Sequence, residues 1–147
     1  MKNIIKYTIA LIALFVGVSS YAGEKLIQEN QLPETAIKFI KENFAQAKIS
    51  MATQDGWWLS KDYEVTLSDS TTIDFDGSGE WKEIKNSVTG VNAKFLPEKI
   101  RNTLEIKFIG AKIKSIEKKA HYAFEVELFD NRDLKFDKNG VLFEVDD

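Results

Sequence analysis

The sequence predicts an α+β fold: two tandem copies of a unit of one helix and four strands, joined in one continuous antiparallel sheet. Three observations predict it. First, the chain repeats itself. Leu32-Pro33-Glu34 returns as Leu96-Pro97-Glu98, and Phe44 with Ala47-Lys48-Ile49 returns as Phe108 with Ala111-Lys112-Ile113. Tyr63-Glu64-Val65-Thr66-Leu67 returns as Phe124-Glu125-Val126-Glu127-Leu128, and Phe75-Asp76…Gly79 returns as Phe136-Asp137…Gly140. The offset is 64 residues in the front part and 61 in the back, so the second copy is three residues shorter in between. Second, within each copy the apolar spacing changes from about four residues to two, a helix followed by strands. Third, a copy of about 50 residues buries too little apolar surface to stand alone, so two copies sharing one sheet form one cooperative unit. Residues 23–147 are therefore read as a single domain of two repeats, about 32–85 and 96–146.

Each element follows from its own residues. Ala36, Ile40 and Phe44 recur every four positions with Ile37 beside them, while Lys38, Lys41, Glu42 and Asn43 take the other side. This is an amphipathic helix, and Pro33 suits its first turn because the missing N–H there forfeits no bond. Ile100, Leu104 and Phe108 repeat the stripe behind Pro97. Glu34 and Glu98 sit where the helix dipole favours a negative charge. The helices should end near Ala45 and Ile109, with Gly110 as a natural terminator of the second. Beyond them Tyr63, Val65 and Leu67 alternate with Glu64 and Thr66, and Ile73 and Phe75 with Thr72 and Asp74. The second copy alternates Phe124, Val126, Leu128, Leu134 and Phe136 with charged residues. Such alternation marks strands with one packed and one wet face, as in antiparallel sheets. Further strands are expected over 48–54, 80–85, 112–119 and 141–145. Turns fall at Ser68-Asp69-Ser70, Asp130-Asn131-Arg132, Gly77-Ser78-Gly79 and Lys138-Asn139-Gly140. Residues 86–94, with Gly90 inside, connect the repeats.

The first 22 residues stand apart. Lys2 and Lys6 open them, no charge occurs from Tyr7 to Ala22, and Ser20-Tyr21-Ala22 offers a cleavage site of small residues. This order predicts a signal peptide over 1–22; the apolar run is short for a membrane span. The expectation is a periplasmic or secreted chain starting near Gly23, with no stable membrane anchor after cleavage. The absence of cysteine rules out a lipid on a terminal thiol and leaves stability to the core. Removing Lys2 and Lys6 from the 20 basic residues leaves 18 against 23 acidic ones, a net charge of −5. An acidic chain without a basic cluster argues against nucleic acid as partner.

The signal-like start, the Leu-Pro step before a short amphipathic helix and the strand pair ending in Phe-Asp-x-x-Gly, all but the first duplicated, resemble the PepSY-like exported proteins. Those are grouped with β-lactamase-inhibitor-like folds. The resemblance spans roughly residues 32–145. It implies two α–β4 modules with both helices on one side of a curved antiparallel sheet and the other side open. It does not imply inhibition of a β-lactamase, because fold does not carry function.

Candidate partner-binding residues are the tryptophans and their neighbours. Trp57 and Trp58 fall where the second copy is shorter, and adjacent strand residues point to opposite faces, so both cannot be core. Trp81 corresponds to Leu142; counting from Ile84 and Val145 as core places Trp81 and Leu142 on the open face, near Glu83 and Glu144. The competing reading packs these rings at a sheet edge or under the connector. Residues 74–79 superficially resemble the start of a calcium loop, but the twelfth residue is Lys85 and the second copy starts with Lys135, so a hairpin turn explains them better. The single histidine, His121, has no readable nucleophile or orienting partner, and without cysteine there is no thiol chemistry. Regularly placed Glu64, Glu125 and Glu127 read as ordinary solvated strand residues. No catalytic, metal or cofactor site is expected.

The expected function is therefore that of an exported, non-enzymatic binding module that recognises an envelope or extracellular protein or peptide on its open sheet face, with aromatic anchors. Inhibition of a hydrolase is its sharpest version. The alternative is a carrier or sensor for a small ligand, such as a carbohydrate or lipid fragment stacked on exposed tryptophans.

Overall fold

Both helices begin at a Leu-Pro step. In the computed structural model, which describes residues 23–56 and 61–147, Pro33 and Pro97 hold φ at −56° and −54°, each directly before a helix. Helix α1 spans Glu34–Asn43 and α2 spans Glu98–Lys107. Each proline sits one position earlier than the first turn, at the cap, where its fixed φ aims the chain into the helix. The helices close at Phe44 and Phe108, whose N–H groups donate to the Ile40 and Leu104 carbonyls at 2.8 and 2.9 Å. The expected signal peptide and the candidate residues Trp57 and Trp58 lie outside the described residues.

The strands are β1 (Lys25–Leu26), β2 (Ile49–Asp55), β3 (Asp62–Leu67), β4 (Thr72–Phe75), β5 (Trp81–Lys85), β6 (Ile113–Lys118), β7 (Phe124–Leu128), β8 (Asp133–Phe136) and β9 (Leu142–Asp146). They form one sheet in sequence order, every neighbour antiparallel. This is the duplicated helix-plus-meander with one addition. The two residues of β1 pair with Gln54 and Thr53, so the sheet has nine strands where eight were expected. A two-residue strand leaves no periodicity to read. The repeats join through β5 and β6, with Ile84 opposite Ile116.

Val65, Ile73, Phe75 and Ile84 in the first repeat, and Ile116, Val126, Leu134 and Phe136 in the second, are fully buried. Ala36 and Ile40 of α1 and Ile100 and Leu104 of α2 close over them, so both helices lie on one face. Full burial of each large apolar side chain contributes about 1.5–3 kcal/mol, and this core carries the fold without disulfides.

The repeated Phe-Asp-x-x-Gly motif has a packing reason. Gly79 (φ +85°) approaches the first turn of α1 so closely that a Cβ would lie 2.8 Å from the Ala36 nitrogen and from Pro33 Cβ. Gly140 (φ +71°) approaches the first turn of α2 less closely, where a Cβ would lie 3.3 Å from Lys99 Cβ and 3.4 Å from Ile100 Cγ1. The hairpin turn thus packs against the helix start in both copies, most tightly in the first.

The connector is pinned at its first residue, Asn86, by side-chain hydrogen bonds. Asn86 is buried at 2% exposure. Its Nδ2 donates to the Asp69 carbonyl (3.1 Å) and Thr71 Oγ1 (3.0 Å), and its Oδ1 accepts from the N–H groups of Val88 (2.9 Å) and Thr89 (2.8 Å). A buried amide with all these bonds made fixes the path of the chain between repeats.

Candidate functional site

The solvent side of the sheet carries a row of carboxylates. Glu64 stands directly opposite Asp74, Asp74 opposite Glu83, Glu83 opposite Glu117, and Glu117 opposite Glu125. Five acids on five adjacent strands face one another across the pleat. Thr53 begins the row opposite Glu64, and Lys135 and Glu144 complete it beyond Glu125. Cross-strand partners stand about 5 Å apart at Cβ, and like charges so placed destabilise a sheet.

The electrostatics bear this out. Partial burial, then the charges of Glu64 and Glu83, push the Asp74 carboxyl up to about 6. Burial and the Glu117 charge raise Glu83 in the same direction. Neither forms an ion pair among the described residues. The lysines paired with the row sit at its second-repeat end: Lys119 bonds Glu117 at 2.5 Å and lies 3.7 Å from Glu125. Lys135 Nζ donates to Glu144 and Asp146, both at 2.6 Å. Glu64, Asp74 and Glu83, the first-repeat end of the row, make no ion pair among the described residues and are left as excess negative charge.

Beside its far end lies an aromatic pair. Tyr122 donates its hydroxyl to Glu125, and its ring meets Phe143 edge-on with centroids 5.6 Å apart. Phe143 is 52% exposed. The first repeat has the Asp62–Lys82 ion pair (3.0 Å) in this region.

The predicted site residues divide. Glu83 and Glu144 are on the open face and belong to the row. Trp81 and Leu142 are not on that face, and the cause is a β-bulge. The ladder slips between Asp74 and Phe75 so that Trp81 pairs with Phe75, and between Lys135 and Phe136 so that Leu142 pairs with Phe136. The extra residue reverses the parity on which the counting relied, turning both side chains to the helix side. Trp81 there stacks on Phe39 of α1 (6.3 Å between centroids) and meets Phe95 edge-on at 6.2 Å. Lys118 Nζ lies 3.8 Å from its ring centre. Phe95 in turn stacks on Phe44 at 5.7 Å, so this cluster binds connector, α1 and sheet together. Trp57 and Trp58 lie outside the described residues.

Tyr122, Phe143, Asp74 and Glu117 were missed as site residues. The carboxylates were visible singly as wet strand positions; their alignment into one row needs the strand order and register. The turn acids have another task. Asp76 Oδ1 accepts from the Ser78 N–H (2.9 Å), Ser78 Oγ (2.6 Å) and the Glu80 N–H (3.0 Å). Asp137 repeats the pattern with the Asn139 and Val141 N–H groups, both at 2.8 Å. These bonds lower both carboxyls below the usual range, with the Ser78 hydroxyl leading at Asp76 and the Val141 N–H at Asp137. The resemblance to a calcium loop is an Asx turn. His121 is exposed at the end of the β6–β7 hairpin.

Comparison with known proteins agrees with this architecture. The family described as "Putative beta-lactamase-inhibitor-like, PepSY-like" matches twice, over residues 22–68 and 61–144. A crystal structure described as a "putative calcium-regulated periplasmic protein" from Bacteroides thetaiotaomicron is 31% identical, covers 84% of this chain and 97% of its own, and superposes with a TM-score of 0.78. A "putative periplasmic protein from DUF2874 family" of Bacteroides vulgatus is 31% identical over 86% and 99% of the two chains, TM-score 0.78. A third structure, described as a "putative periplasmic protein of unknown function" from the same organism, is 26% identical over 85% and 100%, TM-score 0.79. No curated protein matches the sequence. Among the described residues no helix is long and apolar enough to cross a membrane. The twofold match, one per repeat, and the periplasmic neighbours together make the chain a periplasmic member of the PepSY-like, β-lactamase-inhibitor-like family.

Proposed function

We propose that this protein is a non-enzymatic binding module whose open sheet face recognises a cationic segment of another protein or a cationic peptide. The observation that carries the reading is the row Glu64–Asp74–Glu83–Glu117–Glu125. The charge repulsion in the row is relieved when lysine or arginine side chains lie across it, so binding and stability are coupled. Tyr122 and Phe143 supply an apolar anchor at one end, while the carboxylates set orientation and association rate. Trp81, packed on Phe39, is withdrawn from the surface that a stacked small ligand would need.

The test is calorimetric titration with a short Lys-rich peptide at two salt concentrations, with an Asp-rich peptide as control. The reading expects binding of the first, weakened by salt, and loss of affinity in Glu83→Gln/Glu117→Gln. Equal affinity for both peptides, or no effect of the double substitution, overturns it.

A second reading takes a divalent cation as ligand, favoured by the neighbour described as calcium-regulated and by the same acidic row. Against it, no three acidic or histidine side chains among the described residues converge into a cage for an ion, and calcium requires six to eight oxygens. Saturable calcium heat that disappears in Asp74→Asn would favour this reading over the cationic segment.

A further inference from the structure

The two repeats end in equivalent strands with unequal neighbours. β5 is followed in the sheet by β6, whereas its counterpart β9 is the last strand among the described residues. The β5–β6 ladder therefore shows what the outer edge of β9 can accept. The Asn86 N–H donates to the Lys114 carbonyl at 3.0 Å, one step beyond the Lys85–Ser115 pair. Antiparallel ladders alternate bonded and non-bonded pairs, so Ile84, two residues back, also turns its N–H and C=O toward β6. The equivalent of Ile84 is Val145, which pairs inward with Leu134 as Ile84 pairs with Ile73. Val145 thus presents its backbone N–H and C=O to the outer edge. β9 contains neither the proline nor the lysine that commonly blunts an edge, whereas the opposite edge strand β1 has only two residues.

Charge decides the occupant. Glu144 and Asp146 flank Val145 on the open face and already share the single Lys135 ammonium. Two β9 strands paired antiparallel about Val145 would set Glu144 of each copy against Asp146 of the other, a like-charge arrangement that disfavours a second copy. We propose that β9 is a docking edge that takes an extended cationic peptide as a tenth, antiparallel strand. An apolar residue stands opposite Val145, as Ile116 stands opposite Ile84, and Lys or Arg stands opposite Glu144 and Asp146. Half-exposed Val145 and Phe143 supply the apolar contact on either side of the new strand. The proposal rests on the cationic-partner reading of the open face and adds an anchoring contact for the same partner at the Glu144 end of the row, in which main-chain bonds give affinity and alternate side chains give specificity.

The experiment titrates a labelled peptide of alternating Lys and Val into the full chain, followed by fluorescence anisotropy. Val145→Pro removes a donor that faces away from β8, a placement edge strands tolerate; Val145→Ala keeps that donor. The expected result is binding weakened about tenfold in Val145→Pro and within about twofold of the parent in Val145→Ala. Peptides N-methylated on alternate residues give a second readout: one set loses binding and the other keeps it. If Val145→Pro fails to fold by circular dichroism, the methylated pair decides alone. Unchanged binding in Val145→Pro and for both methylated sets, with loss in Glu83→Gln/Glu117→Gln, overturns the edge proposal and leaves the open-face reading standing. No binding of the peptide by the parent overturns both. A dimer of the free protein abolished by Val145→Pro overturns the cationic occupant in favour of a second copy.

Discussion

Replacing Asp74 with asparagine should stabilise this protein at neutral pH. Its carboxyl is raised from 3.8 to about 6 by burial and by Glu64 and Glu83 on either side. The folded state therefore holds the proton more tightly than the unfolded chain does. Stability is highest when Asp74 is protonated in both states, falls as pH rises from about 4 to about 6, and stays reduced above that. Two pH units correspond to about 3 kcal/mol for an insulated group; Asp74 is only half-buried, so screening reduces this to about 1–2 kcal/mol. Asp74→Asn removes the charge while its amide can donate to either flanking carboxylate. At pH 7 the variant should be more stable by about 1–2 kcal/mol, several degrees in Tm, and near pH 4 the difference should vanish. Glu83, shifted in the same direction, leaves a residual slope in the variant. Urea unfolding followed by circular dichroism from pH 4 to 8 measures both. A variant less stable than the parent at pH 7, or a difference independent of pH, refutes the picture of a strained row.

Trp81→Ala should cost about 2–4 kcal/mol in urea unfolding, as expected for an aromatic packed across two cores rather than a surface anchor. A change under about 0.5 kcal/mol, ordinary for surface positions, would return Trp81 to the binding face. Asn86→Ala should cost about 2–4 kcal/mol, since it orphans the buried Thr71 hydroxyl and the Val88 and Thr89 N–H groups. Equilibrium unfolding checks this, and a neutral result would mean that the connector is held otherwise. Gly79→Ala should lower Tm by several degrees, because its Cβ meets α1 at 2.8 Å in a left-handed backbone. An unchanged melting curve would show that the turn is not wedged there.

The sequence made the architecture legible because duplication stated each element twice. The apolar stripe of Ala36, Ile40 and Phe44 and the alternation through Tyr63–Leu67 and Phe124–Leu128 are period signals, and the elements lie within a residue or two of where they point. The site was legible only in part. Glu83 and Glu144 were placed correctly because their side-chain parity does not cross a bulge. Trp81 and Leu142 were misplaced because it does: an irregular pairing between Asp74 and Phe75 leaves no mark in composition or spacing. The aligned carboxylates and the Tyr122–Phe143 pair arise from strand register and neighbour order. These are tertiary facts that local periodicity does not encode.

The central claim is that the open sheet face, through its opposed carboxylates, takes a cationic partner. Chemical-shift mapping of isotope-labelled protein titrated with a Lys-rich peptide tests it most directly. The account predicts perturbations concentrated on Glu64, Asp74, Glu83, Glu117 and Glu125 and on the Tyr122–Phe143 pair. Shifts confined to the two helices, with that row silent at saturating peptide, would contradict it.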